Sequence, residues 1–111
     1  MLPKNRRLTN EEIETVIRKG VTNHTPFLYI KSLPNNIKVT LFTVVVSSKV
    51  SKKAVVRNKI KRQIRAFLIR KNSQFKNGYN IVFITKPGVA NLKLEDVQSA
   101  ILYLLSKNKI I

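Results

Sequence analysis

Apolar residues recur along this chain at two different periods, and the switches between them mark out its elements. Ile13, Val16 and Ile17 keep the i, i+3, i+4 spacing of one helix face. Thr9 and Glu12 form a T-x-x-E capping box ahead of them, and Gly20 supplies a stop, so a first helix is expected over about 10–19. Residues 21–33 and 37–47 then read as strands parted by a turn at Pro34-Asn35-Asn36. Pro26 marks an edge or a strand start, and IKVTLFTVVVS, the most β-rich run, is expected in the middle of the sheet. Val56, Ile60, Ile64 and Phe67 return to helical spacing within 54–71. Asn77-Gly78 marks a turn, YNIVFIT at 79–85 a buried strand closed by Lys86-Pro87-Gly88, and Leu94, Val97, Ile101, Leu104 and Leu105 a last helix to about 106. The order α-β-β-(β)-α-β-α predicts an α+β fold, a small mixed sheet of about four strands packed with three helices. Periodicity leaves the strand order open.

Composition narrows the class. At 111 residues, 43% of them hydrophobic, the chain is expected to fold as a single domain over 1–111. The formal net charge is +17, and no acidic residue lies between Glu14 and Glu95. Such an excess costs stability through self-repulsion and points to a polyanionic partner, nucleic acid before membrane. The glutamates at 11, 12 and 14 sit where a helix dipole favours them and read as capping residues rather than metal ligands. Without cysteine there is neither a disulfide nor a thiolate metal site. The basic start, residues 1–8, has no apolar core of a secretion signal, and no apolar run reaches 18 residues, so a soluble, cytoplasmic protein is expected.

The stretch 54–71, AVVRNKIKRQIRAFLIRK, concentrates that charge. On a helical projection Arg57, Asn58, Lys61, Arg62 and Arg65 share a face beside the apolar stripe, with no carboxylate among them. A solvated helix ordinarily mixes signs, because like charges at i,i+4 repel. Arginine, otherwise the rarer base here, is chosen at three of these positions, and its planar fork suits bidentate phosphate contact. Catalysis by the protein itself finds no support. Asp96 is the sole aspartate, His24 the sole histidine, and no glycine-rich phosphate loop occurs. His24, alone beside a strand, reads as a surface or internally satisfied residue.

Arg57-Asn58-Lys59-Ile60-Lys61-Arg62-Gln63-Ile64-Arg65, preceded by Ala54-Val55 and Ser48-Lys49, resembles the R-N-x-x-K-R-x-x-R helix of the bacterial ribonuclease P protein subunit. The resemblance covers nearly the whole chain. It implies a protein component of a ribonucleoprotein endoribonuclease that binds the catalytic RNA and the 5′ leader of precursor tRNA and assists removal of the leader. It implies that catalysis belongs to the RNA, with magnesium held mainly by RNA in the assembled particle and none by the protein alone. Carried onto this chain, Arg57, Asn58, Lys61, Arg62 and Arg65 would contact the RNA backbone, with Lys49, Lys52, Lys53 and Lys59 assisting. Leader binding would fall to a groove walled by Ile13 and Ile17 and floored by Phe27 or Tyr29, two aromatics expected on one strand face by their i,i+2 spacing. No protein partner and no membrane are implied.

The resemblance also implies a left-handed β-α-β crossover around the arginine helix, where general chain topology would predict a right-handed one. The chain departs from the family pattern in the loop before that helix. Val50 and Lys52 stand where members usually carry a basic residue and a glycine, and Ile13 and Ile17 stand where members tend to place aromatics. Composition alone would equally fit a ribosomal or other structural RNA-binding protein, or a DNA-compacting one; the nine-residue motif separates them.

Overall fold

The computed structural model describes residues 8–37, 39–76 and 78–111. Of the basic start over 1–8, residues 1–7 lie outside the described residues, as do Lys38 and Asn77, while Leu8 is buried with Val16, Leu41 and Val82. Helix α1 runs Asn10–Lys19, strands β1 and β2 run Val21–His24 and Leu28–Pro34, and β3 runs Leu41–Val45. Helix α2 follows at Ala54–Lys71, then β4 at Tyr79–Thr85 and α3 at Leu94–Lys107. The strands form one sheet in the order β1-β2-β4-β3, antiparallel except for the parallel pair of β3 and β4.

Two local devices shape the strands. Pro26 has no N–H to give, and Thr25 closes a tight hairpin by exchanging hydrogen bonds with Leu28, its N–H donating to the Leu28 carbonyl at 2.8 Å. The single run 21–33 is thereby split into β1 and β2. Further on, Asn35 Nδ2 donates to Asn80 Oδ1 at 2.8 Å and to the Val39 carbonyl at 3.2 Å, while its Oδ1 accepts from the Ile37 N–H. This side chain competes with the ladder for backbone groups, so the run 37–47 is strand only over Leu41–Val45. That strand is an edge of the sheet, not its centre; β2 and β4 are central. β3 is hydrophobic because both its faces are covered: Leu41 is 3% exposed on one side and Val44 is 2% on the other.

The sheet separates two apolar layers. On one face Val16 of α1 is buried against Leu41 and Val82, with Ile13, Leu33 and Ile84 packed around them. On the other, Ile60, Ile64, Phe67 and Leu68 of α2 and Val97, Ile101, Leu104 and Leu105 of α3 bury Leu28, Ile30, Phe42, Val44, Ile81 and Phe83. The α1 capping box is formed, with Thr9 accepting from the Glu12 N–H and the Glu12 carboxylate accepting from the Thr9 N–H.

The crossover from β3 through α2 to β4 is left-handed. The Lys86 N–H donates to the Phe27 carbonyl, and the Asn35 N–H to the Gly78 carbonyl. Backbone groups of even-numbered residues along β4 therefore point to β2, and those of Ile81 and Phe83 point to β3. The side chains of Ile81 and Phe83 face α2 and α3. In an L-residue strand drawn upward with a side chain toward the viewer, that residue's N–H and C=O point right. Seen from the helices, β3 thus lies to the right of β4, and the chain comes forward through α2 and moves left. This departs from the right-handed rule that strand twist favours.

Candidate nucleic-acid interface

The cationic surface is built on α2 and the loop leading into it. In that loop the Val50 N–H donates to the Ser47 carbonyl at 3.0 Å, the Lys49 N–H to Ser47 Oγ at 3.3 Å, and the Lys53 N–H to Ser51 Oγ at 3.2 Å. Val50 packs against the main core, so the position that lacks the expected basic residue serves as an anchor. The Lys53 carbonyl accepts from the N–H groups of Val56 and Arg57 and opens the helix. Lys49, Lys52 and Lys53 are exposed on this framework. No acid sits in the first turn of α2 to offset them, so three cations and the positive helix pole add together.

Along α2, Asn58, Lys61, Arg62 and Arg65 line one open concavity. Asn58, Lys61 and Arg62 are exposed and Arg65 is half-buried. Arg57 is half-buried and donates from Nη1 to the Ser51 carbonyl at 2.8 Å. Lys59 stands apart from this group. It faces the opposite flank, where Val55, Gln63, Ala90, Leu92 and Leu94 line a groove between α2 and the start of α3.

The second predicted surface is altered by the hairpin. Ile13 is half-buried in the α1 layer, whereas Ile17, one turn on, is 43% exposed. Tyr29 is half-buried on the α1 side of the sheet, paired with Ile84 across β4. Phe27 does not share its face. It lies in the turn before β2, where strand alternation no longer applies, and packs against the α2/α3 core beside Gly88. A Cβ on Gly88 would lie 3.5 Å from the Phe27 ring, and the +99° φ of Gly88 suits only glycine. Of the two aromatics expected on one strand face, Tyr29 alone lies on the α1 side of the sheet. Two neighbours of Tyr29 were not singled out by sequence as site residues: His24, whose ring lies 5.1 Å away, and Lys86, whose Nζ is 5.6 Å from the Tyr29 ring centre. For His24 the signal lies in the β1–β2 register, which pairs it with Tyr29, and for Lys86 in the β2–β4 pairing, which its N–H extends to the Phe27 carbonyl.

Among the described residues no three His, Cys, Asp or Glu side chains come together as a metal site, and no helix is long and apolar enough to cross a membrane. What the surfaces offer is ordered cations and an aromatic on a sheet, the chemistry of phosphate and base contact.

A small, strongly basic α+β domain with a left-handed crossover and a cationic crossover helix is thus defined. The chain belongs to the ribonuclease P protein family, whose model, described as Ribonuclease P, matches residues 2–109. It is similar to the ribonuclease P protein component of Dehalococcoides mccartyi, 34% identical over 111 residues that cover 100% of this chain and 90% of the relative. The ribonuclease P protein component of Clostridium botulinum (strain 657) is 32% identical, over 96% of each chain. Among solved structures, the RNase P protein of Staphylococcus aureus superposes with a TM-score of 0.83 at 23% identity, covering 92% of this chain and 93% of that one. That of Thermotoga maritima gives 0.83 at 22% identity, over 92% and 96%. At these identities the solved structures show the fold, three helices on a four-stranded mixed sheet.

Proposed function

We propose that this chain is the protein subunit of ribonuclease P, acting in the cytoplasm. It binds the catalytic RNA through α2 and its loop, holds the 5′ leader of precursor tRNA on the α1 side of the sheet, and so assists endonucleolytic removal of the leader. The observation that carries this reading is the concavity lined by Asn58, Lys61, Arg62 and Arg65 on a helix face without a carboxylate. Arginines spaced at i, i+3 there offer parallel forks to successive phosphates. Lys49, Lys52 and Lys53 extend the same surface, and Arg57 braces it; Lys59, on the other flank, contributes long-range attraction.

The leader would lie over Tyr29, with Ile17 and the exposed edge of Ile13 as an aliphatic wall giving shape rather than stacking. Magnesium would be held mainly by RNA in the assembled particle. The protein's donor set does not fit a metal centre among the described residues, so its share is binding and orientation. Reconstitution tests the proposal. Purified protein should restore precursor-tRNA cleavage, at low magnesium, to a catalytic RNA that is inactive alone under those conditions. If any basic protein of similar charge restores cleavage equally, the chain is instead a general structural RNA binder.

A further inference from the structure

The sheet register aligns His24, Tyr29, Ile84 and Val45 in one row across all four strands. At about 4.8 Å per strand, the row is about 14 Å long. It starts at the β1 edge and ends at Val45, two residues before the loop that carries Lys49, Lys52 and Lys53.

Three side chains converge at the β1 end. The His24 and Tyr29 rings lie 5.1 Å apart, tilted by 30°. Lys86, just past the end of β4, projects to the same side. Its Nζ donates to the Thr25 carbonyl at 3.0 Å, lies 3.2 Å from His24 Nδ1, and stands 5.6 Å from the Tyr29 ring centre. An ammonium can only donate, so Nδ1 of His24 is the acceptor and the neutral ring carries its proton on Nε2. With two of its three N–H bonds engaged, Lys86 keeps one donor and is fixed in position.

We propose that His24, Tyr29 and Lys86 form a subsite for one nucleotide of single-stranded RNA. The base stacks against the Tyr29–His24 pair, and its phosphate meets the remaining Lys86 donor. This rests on the reading that the leader crosses the α1 side of the sheet, and it adds where along the leader the protein takes hold. Pre-ordering is what distinguishes the site from the exposed lysines. Most of the side-chain entropy cost of fixing a lysine is already met by Thr25 and His24 before RNA arrives. The row then gives the strand a direction, with the subsite at the end farthest from α2 and the leader leading back toward the loop lysines.

The competing possibility is that Lys86 only fastens the Thr25–Leu28 turn. Holoenzyme reconstituted with Lys86→Gln or with His24→Ala separates the two, using precursor tRNAs whose leaders shorten one nucleotide at a time to the mature 5′ end. Each variant should lose about tenfold in affinity for substrates whose leader reaches the subsite. Below one threshold length both should bind as the parent does, and Lys86→Arg should restore most of the loss. A loss by Lys86→Gln that is equal at all lengths, mature tRNA included, would mean a structural role and overturn the proposal, as would no loss at any length for either variant. His24→Ala guards against misfolding, because His24 is exposed and its removal leaves the Lys86–Thr25 bond in place. A parent holoenzyme whose affinity ignores leader length would overturn the broader leader reading, an outcome distinct from both of these.

Discussion

Arg57 Nη1 donates to the carbonyl of Ser51 at 2.8 Å, tying α2 back onto the loop that precedes it. A residue expected to face phosphate alone is thus half-buried and engaged within the protein. Its remaining donors stay available, so it joins the lysine loop to the arginine face as one surface.

Arg57→Ala should therefore cost more RNA affinity than Arg62→Ala, although each removes one charge. A charge-assisted hydrogen bond of this kind contributes about 1–3 kcal/mol when sheltered, and about 1 kcal/mol is expected at this half-exposed site. The check is a double-mutant cycle with Lys53→Ala in filter binding to the catalytic RNA. Coupling above about 0.5 kcal/mol is expected, because freeing the loop devalues its lysines. Strict additivity would mean that Arg57 acts on RNA independently of the loop.

Salt dependence should reveal how many phosphates the surface engages. With about six contacts at roughly 0.7–0.9 ions each, log affinity should fall against log salt with a slope on the order of −4 to −5. Arg62→Ala or Arg65→Ala should weaken binding and make the slope shallower by about one. Unchanged slopes in both variants would remove this face of α2 from the RNA contact.

Much of this organisation can be read from the chain itself. The three helices and β4 fall where the periodicities place them, because each has one continuous apolar face and a clear stop. The arginine face is legible for the same reason: its neighbours in space are neighbours at i, i+3 and i+4. What cannot be read depends on partners distant in sequence. Thr25 turning the chain at Pro26, and Asn35 reaching Asn80, decide where strands begin, and neither leaves a trace in hydrophobic alternation. The error on Phe27 follows directly, since i,i+2 spacing holds only inside a strand. The pin at the end of α3, where Asn108 Oδ1 accepts from Asn23 Nδ2 at 2.8 Å and Asn108 Nδ2 donates to the Leu104 carbonyl, is equally silent in sequence. The edge position of β3 is hidden because a strand covered on both faces looks central.

Gly20 supplies a stability test independent of RNA. Its φ of −71° suits any residue, so conformational freedom is not why glycine is needed. Space is: a Cβ there would lie 2.5 Å from the Val16 carbonyl oxygen and 3.1 Å from that of Ser32. Both are backbone atoms: relief requires the last turn of α1 to open at the Gly20–Val16 hydrogen bond and its end to move off Ser32 of β2. Gly20→Ala should destabilise by about 1–3 kcal/mol in chemical denaturation. A variant as stable as the parent would show that the end of α1 re-forms around the added methyl at little cost.

Ile13 and Ile17 are one helical turn apart, yet they should behave oppositely. Ile13 packs among Val16, Leu41 and Val82, so Ile13→Ala should leave a partial cavity and cost about 2 kcal/mol, toward the low end for a residue that is only half-buried. Ile17 is 43% exposed and should lose within about 0.5 kcal/mol on the same change. If α1 walls the leader groove, the ranking reverses for binding. Ile17→Ala should reduce the preference for precursor over mature tRNA, by less than the roughly 1–3 kcal/mol expected of Tyr29→Ala, since an isoleucine has no π-face for a base. Ile13→Ala should leave that preference nearly intact in whatever fraction remains folded. Thermal melts of the free proteins, set beside affinities of the reconstituted particles for both RNAs, give the comparison. An Ile17→Ala particle that discriminates precursor from mature tRNA as the parent does would move the leader off α1, leaving Tyr29 and the β1 end of the sheet to hold it.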